Sequence, residues 1–151
     1  MEKFKNIDEI LDFAIEQEQE AIDFYSELSK QAKNQEMKNI YLEFVQEEMG
    51  HKKKLIQVKE EKVFSEASTE VVDLKISDYL VPVKPTPDMS YQDALIVVMK
   101  KEKAAHKLYL SLAKMAPTEE LKKIFKMLAI EEANHKLQFE EDYDEYILKD
   151  N

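Results

Sequence analysis

The sequence Glu-Glu-Met-Gly-His at residues 47–51 returns as Glu-Glu-Ala-Asn-His at residues 131–135. In both stretches the second glutamate and the histidine are three residues apart, so on a helix their side chains lie on the same face. His51 and His135 are 84 positions apart (135 − 51 = 84). An offset shared by a whole motif indicates an internal repeat, in which two halves of the chain form the same structural unit.

Each half also carries a second glutamate and a tyrosine. Glu18 and Tyr25 in the first half match Glu102 and Tyr109 in the second, again 84 positions apart. A turn midway between the two glutamates of each half would form an antiparallel helix pair with its carboxylates level. Two such hairpins would bring four glutamates and two histidines to one height in a bundle, namely Glu18, Glu48, His51, Glu102, Glu132 and His135.

The composition favours long helices and argues against several classes of function. The 151 residues include one glycine, four prolines and 36% charged residues, with a net charge of −10. This balance is typical of helical proteins and argues against a nucleic-acid partner. The absence of cysteine excludes zinc–thiolate and rubredoxin-type iron centres within these residues. Since no apolar run has the length of a membrane span or signal segment, we expect a single cytoplasmic domain over residues 1–151, without a membrane partner.

The hydrophobic pattern predicts an all-α fold. Apolar residues recur at intervals of three and four in four segments, which predicts helices over about 7–33, 35–62, 90–116 and 119–147. The predicted N-caps are Asn6, Asn34, Ser90 and Thr118. Prolines and β-branched residues over 63–89 disfavour a helix, and a connector of that length favours a crossover along the bundle. We therefore predict a four-helix bundle made of two helix hairpins joined by a long crossover.

The six repeated ligand-type residues occupy core positions, where charge is costly. A carboxylate buried alone loses several kcal/mol or becomes protonated, and four together also repel one another. Two divalent cations would neutralise four carboxylates, and the two imidazoles would complete the ligand shells. Oxygen and imidazole ligands without sulfur suit iron or manganese better than structural zinc, as in known di-iron and di-manganese bundles. We predict two iron ions, with manganese as the alternative.

These motifs resemble those of the ferritin-like superfamily, and most closely the rubrerythrin-like family, over residues 6–62 and 90–146. The resemblance implies a ferritin-like bundle with particular roles for the ligands. Glu18 and Glu102 would be terminal ligands, and Glu48 and Glu132 would bridge the two metals. His51 and His135 would each bind one metal. It also implies that Tyr25 and Tyr109 donate hydrogen bonds to the ligands, and plain aromatic core residues are the alternative for both.

The chain departs from typical rubrerythrins in two ways. Ala105 stands where they carry an additional glutamate, three residues after the ligand of the third helix, and these residues lack the cysteines of their rubredoxin domain. The six-ligand set is similar to the ferroxidase centre of bacterioferritin. We predict reduction of hydrogen peroxide or dioxygen at a Glu4His2 centre, for protection against oxidative stress, with electrons from an external redox protein. The alternatives are a ferroxidase, an iron-binding or storage protein without turnover, and an oxygenase of an organic substrate.

Two further features concern assembly and the remaining histidine. The long crossover could exchange helices between subunits, so we expect a homodimer, with domain swapping as one way to form it. His106 follows Ala105, and its counterpart in the first half is the apolar Ile22. Its role is left open between contact with the site or a substrate path and a contact in the core or between subunits.

Overall fold

The structure is a computed structural model that describes residues 4–62, 75, 78, 79, 81 and 89–150, apart from the side chains of residues 147, 149 and 150. Four helices account for nearly all of these residues: α1 (Ile7–Gln31), α2 (Gln35–Glu60), α3 (Tyr91–Met115) and α4 (Glu119–Asp150). None of the helices in this part of the chain is both long and apolar enough to cross a membrane.

Each helix begins at the residue whose side chain was predicted to cap it. A side-chain oxygen accepts the backbone N–H three residues on in all four cases: Asn6 from Glu9 and Asn34 from Met37, both at 2.8 Å, and Ser90 from Asp93 and Thr118 from Leu121, both at 3.1 Å. The first N–H groups of a helix have no partner within it, so a short polar side chain at this position stabilises the helix start.

The helix ends differ slightly from the predicted ones. The first two helices end two residues early, and α3 is one residue shorter at each end, which is within the usual fraying of helix termini. In contrast, α4 continues to Asp150 instead of residue 147. The Tyr146 ring packs on that of Tyr91 with centroids 5.5 Å apart, and Lys33 Nζ lies 3.9 Å above it. These contacts hold the last turns of α4 against the bundle despite their acidic residues.

The helices form two hairpins, α1 with α2 and α3 with α4, and α1 packs on α3. The core lies in two clusters at the ends of the bundle. The Tyr41 cluster joins the end of α1, the start of α2, the start of α3 and the end of α4 through residues that include Leu28, Tyr41, Ala94 and Phe139. The Phe125 cluster joins the opposite ends and includes Ile10, Leu55, Leu112 and Phe125.

The positions of α2 and α3 define how the hairpins are connected. The last buried residue of α2, Val58, belongs to the Phe125 cluster, whereas the first of α3, Ala94, belongs to the Tyr41 cluster. The connection therefore joins opposite ends of the bundle, which is the ferritin-like arrangement of one long crossover. The predicted crossover, 63–89, lies almost entirely outside the described residues. Within it, Tyr79 packs in the Phe125 cluster, and its hydroxyl lies 2.9 Å from Ser111 Oγ in a hydrogen bond.

Candidate metal centre

All six predicted ligands meet between the two core clusters. Their exposed fractions lie between 0% and 4%. They form two overlapping groups, in each of which one ligand atom per residue lies within 4.8 Å of the others: Glu18, Glu48, His51 and Glu132, and Glu48, Glu102, Glu132 and His135. Glu48 and Glu132 belong to both groups, as expected of carboxylates that bridge two ions.

Regular helix geometry is enough to place these side chains. Glu18 lies in the buried stripe of α1 between Ala14 and Tyr25, and Glu102 lies in the stripe of α3 between Val98 and Tyr109. Residues three and four apart share a helix face, so apolar neighbours on either side carry each carboxylate into the core. The fold holds the charged residues in place through the packing of the rest of the stripe.

Both histidines direct Nδ1 towards the carboxylates. His51 Nδ1 is 2.8 Å from Glu132 Oε1 and 3.7 Å from an oxygen of both Glu18 and Glu48. His135 Nδ1 is 2.9 Å from Glu48 Oε1 and 3.7 Å from Glu102 Oε2. The two rings are nearly parallel, at 14°, with centroids 6.3 Å apart. Each imidazole is thus close to one terminal carboxylate and to the shared carboxylate of the other hairpin, and His51 is also close to the shared Glu48 of its own helix.

The opposite nitrogen of each ring is held by a glutamate of the other hairpin. His51 Nε2 donates to Glu131 on α4, and His135 Nε2 donates to Glu47 on α2. A carboxylate in this position fixes the tautomer, because an N–H at Nε2 leaves the Nδ1 lone pair free for a metal. Glu47 lies about 100° around α2 from Glu48, which predicts a place beside the ligands or in solvent. The structure places it beside the ligand His135, but the crossed pairing itself was not predicted. The available signal was the repeated Glu-Glu doublet.

The ligand atoms themselves lack hydrogen-bond partners. Among the described residues, seven buried ligand atoms have no partner in hydrogen-bond geometry: Glu18 Oε2, both oxygens of Glu48, Glu102 Oε2, Glu132 Oε1 and Nδ1 of His51 and His135. Each Nδ1 is within ion-pair distance of a shared carboxylate, but the direction of approach does not form a hydrogen bond. Buried polar atoms are normally satisfied, and leaving one without a partner costs about 1–3 kcal/mol. Seven such atoms directed to one place fit a bound cation, and their oxygen and imidazole chemistry fits iron or manganese.

The charges in the cluster shift the acidities of its members. Burial, and next the charge of Glu132, raise the pKa of Glu48 and Glu102 well above their usual value. Burial, the largest single influence, would raise the pKa of Glu132, but the interactions with His51, Glu102 and Glu48 together outweigh it and lower the pKa to about 2. Burial alone would lower the pKa of His51, but the adjacent carboxylates raise it. The cluster thus favours positive charge at its centre, and metal binding must displace protons.

The two repeated tyrosines differ in their contacts. The Tyr109 hydroxyl donates to Glu18 Oε1, so it reaches from α3 to the ligand on α1. Burial and the Glu18 charge raise the pKa of Tyr109, which keeps the hydroxyl protonated. The Tyr25 hydroxyl is buried without a hydrogen-bond partner among the described residues. Its role as a hydrogen-bond donor to the ligands therefore stays a prediction.

A small cavity adjoins the site between α1 and α3. It has a volume of about 20 Å³, and Glu18, Ala104, Ala105 and Tyr109 contribute to its walls. A volume of that size holds about one water molecule. His106, next to Ala105 in sequence, lies outside the cluster, and its Nδ1 donates to the Ala129 carbonyl at 2.8 Å. In the structure His106 therefore links α3 to α4.

The fold and the buried Glu/His cluster together define a ferritin-like protein of the di-iron carboxylate class. The rubrerythrin family model matches residues 9–143, and the chain belongs to this family. Membership in it implies iron binding.

Two solved structures resemble the chain. One, from Thermotoga maritima and described as a ferritin-like diiron-carboxylate protein, has a TM-score of 0.82 at 22% identity, over 97% of this chain and 99% of that one. The other, a hypothetical protein from Pyrococcus furiosus, has a TM-score of 0.71 at 25% identity, over 91% of this chain and 87% of that one. The curated proteins contain no significant match.

Proposed function

We propose that this protein reduces hydrogen peroxide at a centre of two iron ions held by Glu18, Glu48, His51, Glu102, Glu132 and His135. The observation that carries the proposal is the convergence of seven buried ligand atoms without hydrogen-bond partners. Two bound ferrous ions would supply the two electrons that, with two protons, convert one peroxide to two waters. A separate redox protein would then return the electrons, since the 151 residues contain no cysteine for a rubredoxin-type centre.

The residues around the ligands would hold the site ready for this reaction. Glu47 and Glu131 keep Nδ1 of each histidine directed inward. Tyr109 donates its hydroxyl proton in a hydrogen bond to Glu18 at the wall of the cavity, so it would hold this ligand in position beside a small oxidant. The six ligands are 0–4% exposed, and this exclusion of water strengthens the charge interactions among them.

The size of the cavity supports a small oxidant over an organic substrate. At about 20 Å³, it has room for a molecule of the size of water, peroxide or dioxygen. Pockets for organic ligands are typically about 300–1,000 Å³. The cavity that adjoins the ligands therefore favours a small oxidant over the substrate of an oxygenase.

Stopped-flow absorbance of the anaerobic, ferrous-loaded protein would test the proposal. We expect oxidation by hydrogen peroxide to be at least tenfold faster than oxidation by an equal concentration of dioxygen. Zinc-loaded protein controls for peroxide consumption without redox chemistry, and a Glu48→Ala variant controls for iron bound outside the site. Equal or faster oxidation by dioxygen would overturn the peroxidase proposal, and no fast phase with either would leave a binding protein.

A ferroxidase is the second candidate, and one observation favours it. Ala105 occupies the position of the additional glutamate of typical rubrerythrins and lines the cavity. Without that glutamate the centre has six ligands, and this number of ligands resembles that of a ferroxidase centre. Repeated additions of ferrous iron under air distinguish the two functions, because a ferroxidase would oxidise many iron ions per chain and a peroxidase would not.

A further inference from the structure

The outer face of α4 carries apolar side chains that the fold does not require. Met127, Ile130 and Leu137 are 54%, 60% and 55% exposed. With Lys123, Asn134 and Glu141 they form a continuous exposed line, the α4 stripe, spaced alternately by four and three residues. This is the spacing of a helix face that packs against a second helix.

The internal repeat supplies a comparison for this stripe. Subtracting 84 from each number gives the matching exposed line on α2, which is Asn39, Glu43, Gln46, Gly50, Lys53 and Gln57. Every residue of that line except the glycine is polar, although both helices carry the same ligands and occupy equivalent places in the bundle. The apolar residues of the α4 stripe are therefore not a consequence of the bundle itself.

We propose that the α4 stripe is the interface of a homodimer, in which α4 packs antiparallel against α4 of a second copy. The charges along the stripe favour a copy of the same chain. If a two-fold axis passes beside residue 132, Lys123 lies opposite Glu141 of the second copy, since both are nine positions from 132 (132 − 123 = 141 − 132). Among the described residues neither makes an ion pair, and the symmetry forms the pair twice.

The same axis also matches the apolar positions. Met127 and Leu137 are each five positions from 132, so Met127 of one copy lies opposite Leu137 of the other. Ile130 likewise lies opposite Asn134. These are the alternating layers expected of antiparallel helices in this spacing. Beyond the ends of the α4 stripe, Glu120 would lie opposite Asp144 of the second copy, and the two like charges would repel each other. The pairing therefore predicts a contact limited to residues 123–141, about 27 Å of helix.

A second exposed apolar pair makes a rival surface. On α2, Leu42 and Met49 are 41% and 48% exposed. Met49 also lines a groove between α1 and α2, together with Gln19, Ile22, Lys52, Lys53 and Ile56. The counterparts of the pair on α4 are Lys126 and Ala133. The two surfaces can thus be exchanged independently, each for the residues that the other half of the chain carries.

The test is the oligomeric state of the full chain, measured by light scattering coupled to size exclusion at about 50 µM. We expect a dimer for the wild type and a monomer for Met127→Glu/Ile130→Gln/Leu137→Lys, which transfers the α2 residues to α4. Circular dichroism and metal content should remain those of the wild type. The matched control, Leu42→Lys/Met49→Ala, should remain a dimer.

Charge reversal tests the register. Lys123→Glu should raise the dissociation constant about tenfold, because two attractive pairs become repulsive, and Lys123→Glu/Glu141→Lys should restore it. A monomeric wild type would overturn the proposal and leave the stripe to a different partner. A dimer that survives the triple substitution would overturn it as well, and this is the result expected if the subunits exchange helices. The proposal would also be overturned if only the control variant disrupts the dimer.

Discussion

The hairpin of α1 and α2 and the hairpin of α3 and α4 present the same residues to the metal centre but different residues to the ends of the bundle. Glu18, Glu48 and His51 recur as Glu102, Glu132 and His135, and all six are buried. At the Tyr41 end, the Tyr41 hydroxyl bonds to Tyr91 and, at 3.0 Å, to Asp142. The matching places at the other end hold Phe125, Ile7 and Val58.

This contrast separates what the centre requires from what the bundle tolerates. A dinuclear site needs its ligands in pairs, so both halves must keep the same residues at the same height. At the ends of the bundle, the side chains need only to fill the core and to leave no buried polar group without a hydrogen bond. Three apolar residues and three hydrogen-bonded residues can both do this. The repeat therefore provides, for nearly every substitution, a control that the chain itself already carries in the other half.

Removal of a shared carboxylate should have the largest effect. We expect Glu48→Ala and Glu132→Ala to lose nearly all bound metal, and Glu18→Ala and Glu102→Ala to keep about one ion per chain, because only the first two belong to both ligand groups. Elemental analysis after dialysis against ferrous iron would measure this. Equal metal content in all four variants would contradict the bridging role, and different contents within either pair would break the equivalence of the halves.

The crossed Glu–His pairs should have the next largest effect. We expect Glu47→Gln and Glu131→Gln each to weaken metal binding about 10–100-fold, because a carboxylate acceptor fixes the tautomer of a ligand histidine. Competition with a chelator would give the affinities. Glu43→Gln, which changes an exposed glutamate of α2 outside these pairs, should leave the affinity unchanged. If Glu47→Gln behaves like this control, the pairing has no role in binding.

Much of this structure could be predicted from one recurring offset. This offset of 84 residues identified the helix stripes, the four N-caps and the six ligand-type residues, since all of these depend on spacing within a single helix. The convergence of the six followed from the additional expectation of a turn midway in each half. The pairing of Glu47 with His135 could not be predicted in this way, because it depends on the rotation of α2 relative to α4. The same applies to Tyr25 and Tyr109, whose spacing is identical and whose contacts differ.

The polar end of the bundle can be tested for its contribution to stability. Tyr41→Phe removes the donor to the buried Asp142 and should lower the free energy of unfolding by about 2–3 kcal/mol. Urea unfolding of the metal-free protein would measure it. Tyr41→Phe/Tyr91→Ile/Asp142→Val copies the apolar end, and we expect it to regain at least half of the loss. No loss in the single variant would mean that another donor, such as water or the Tyr91 hydroxyl, satisfies Asp142 Oδ2.

The two tyrosines at the centre allow a finer comparison. Tyr109→Phe should destabilise the metal-free protein by about 1–2 kcal/mol, because it removes a hydrogen bond to a buried carboxylate. Tyr25→Phe should be neutral or slightly stabilising, because its hydroxyl has no partner among the described residues. Thermal unfolding of both variants would show the difference. Equal losses would mean that Tyr25 bonds to Glu102 as Tyr109 does to Glu18.

The smallest expected effect is a gain, at the one glycine of the chain. Gly50 lies in the interior of α2, exposed, and an added Cβ would meet no atom within 4 Å. Glycine costs a helix about 1 kcal/mol relative to alanine, so Gly50→Ala should raise the free energy of unfolding by that amount and leave metal content unchanged. Gly50→Asn copies the residue of the other half and should gain less, because asparagine has the lower helix propensity. A loss of stability in Gly50→Ala would mean that another group packs closely on this face of α2, and the outer surfaces of the two halves would then differ in their contacts as well as in their residues.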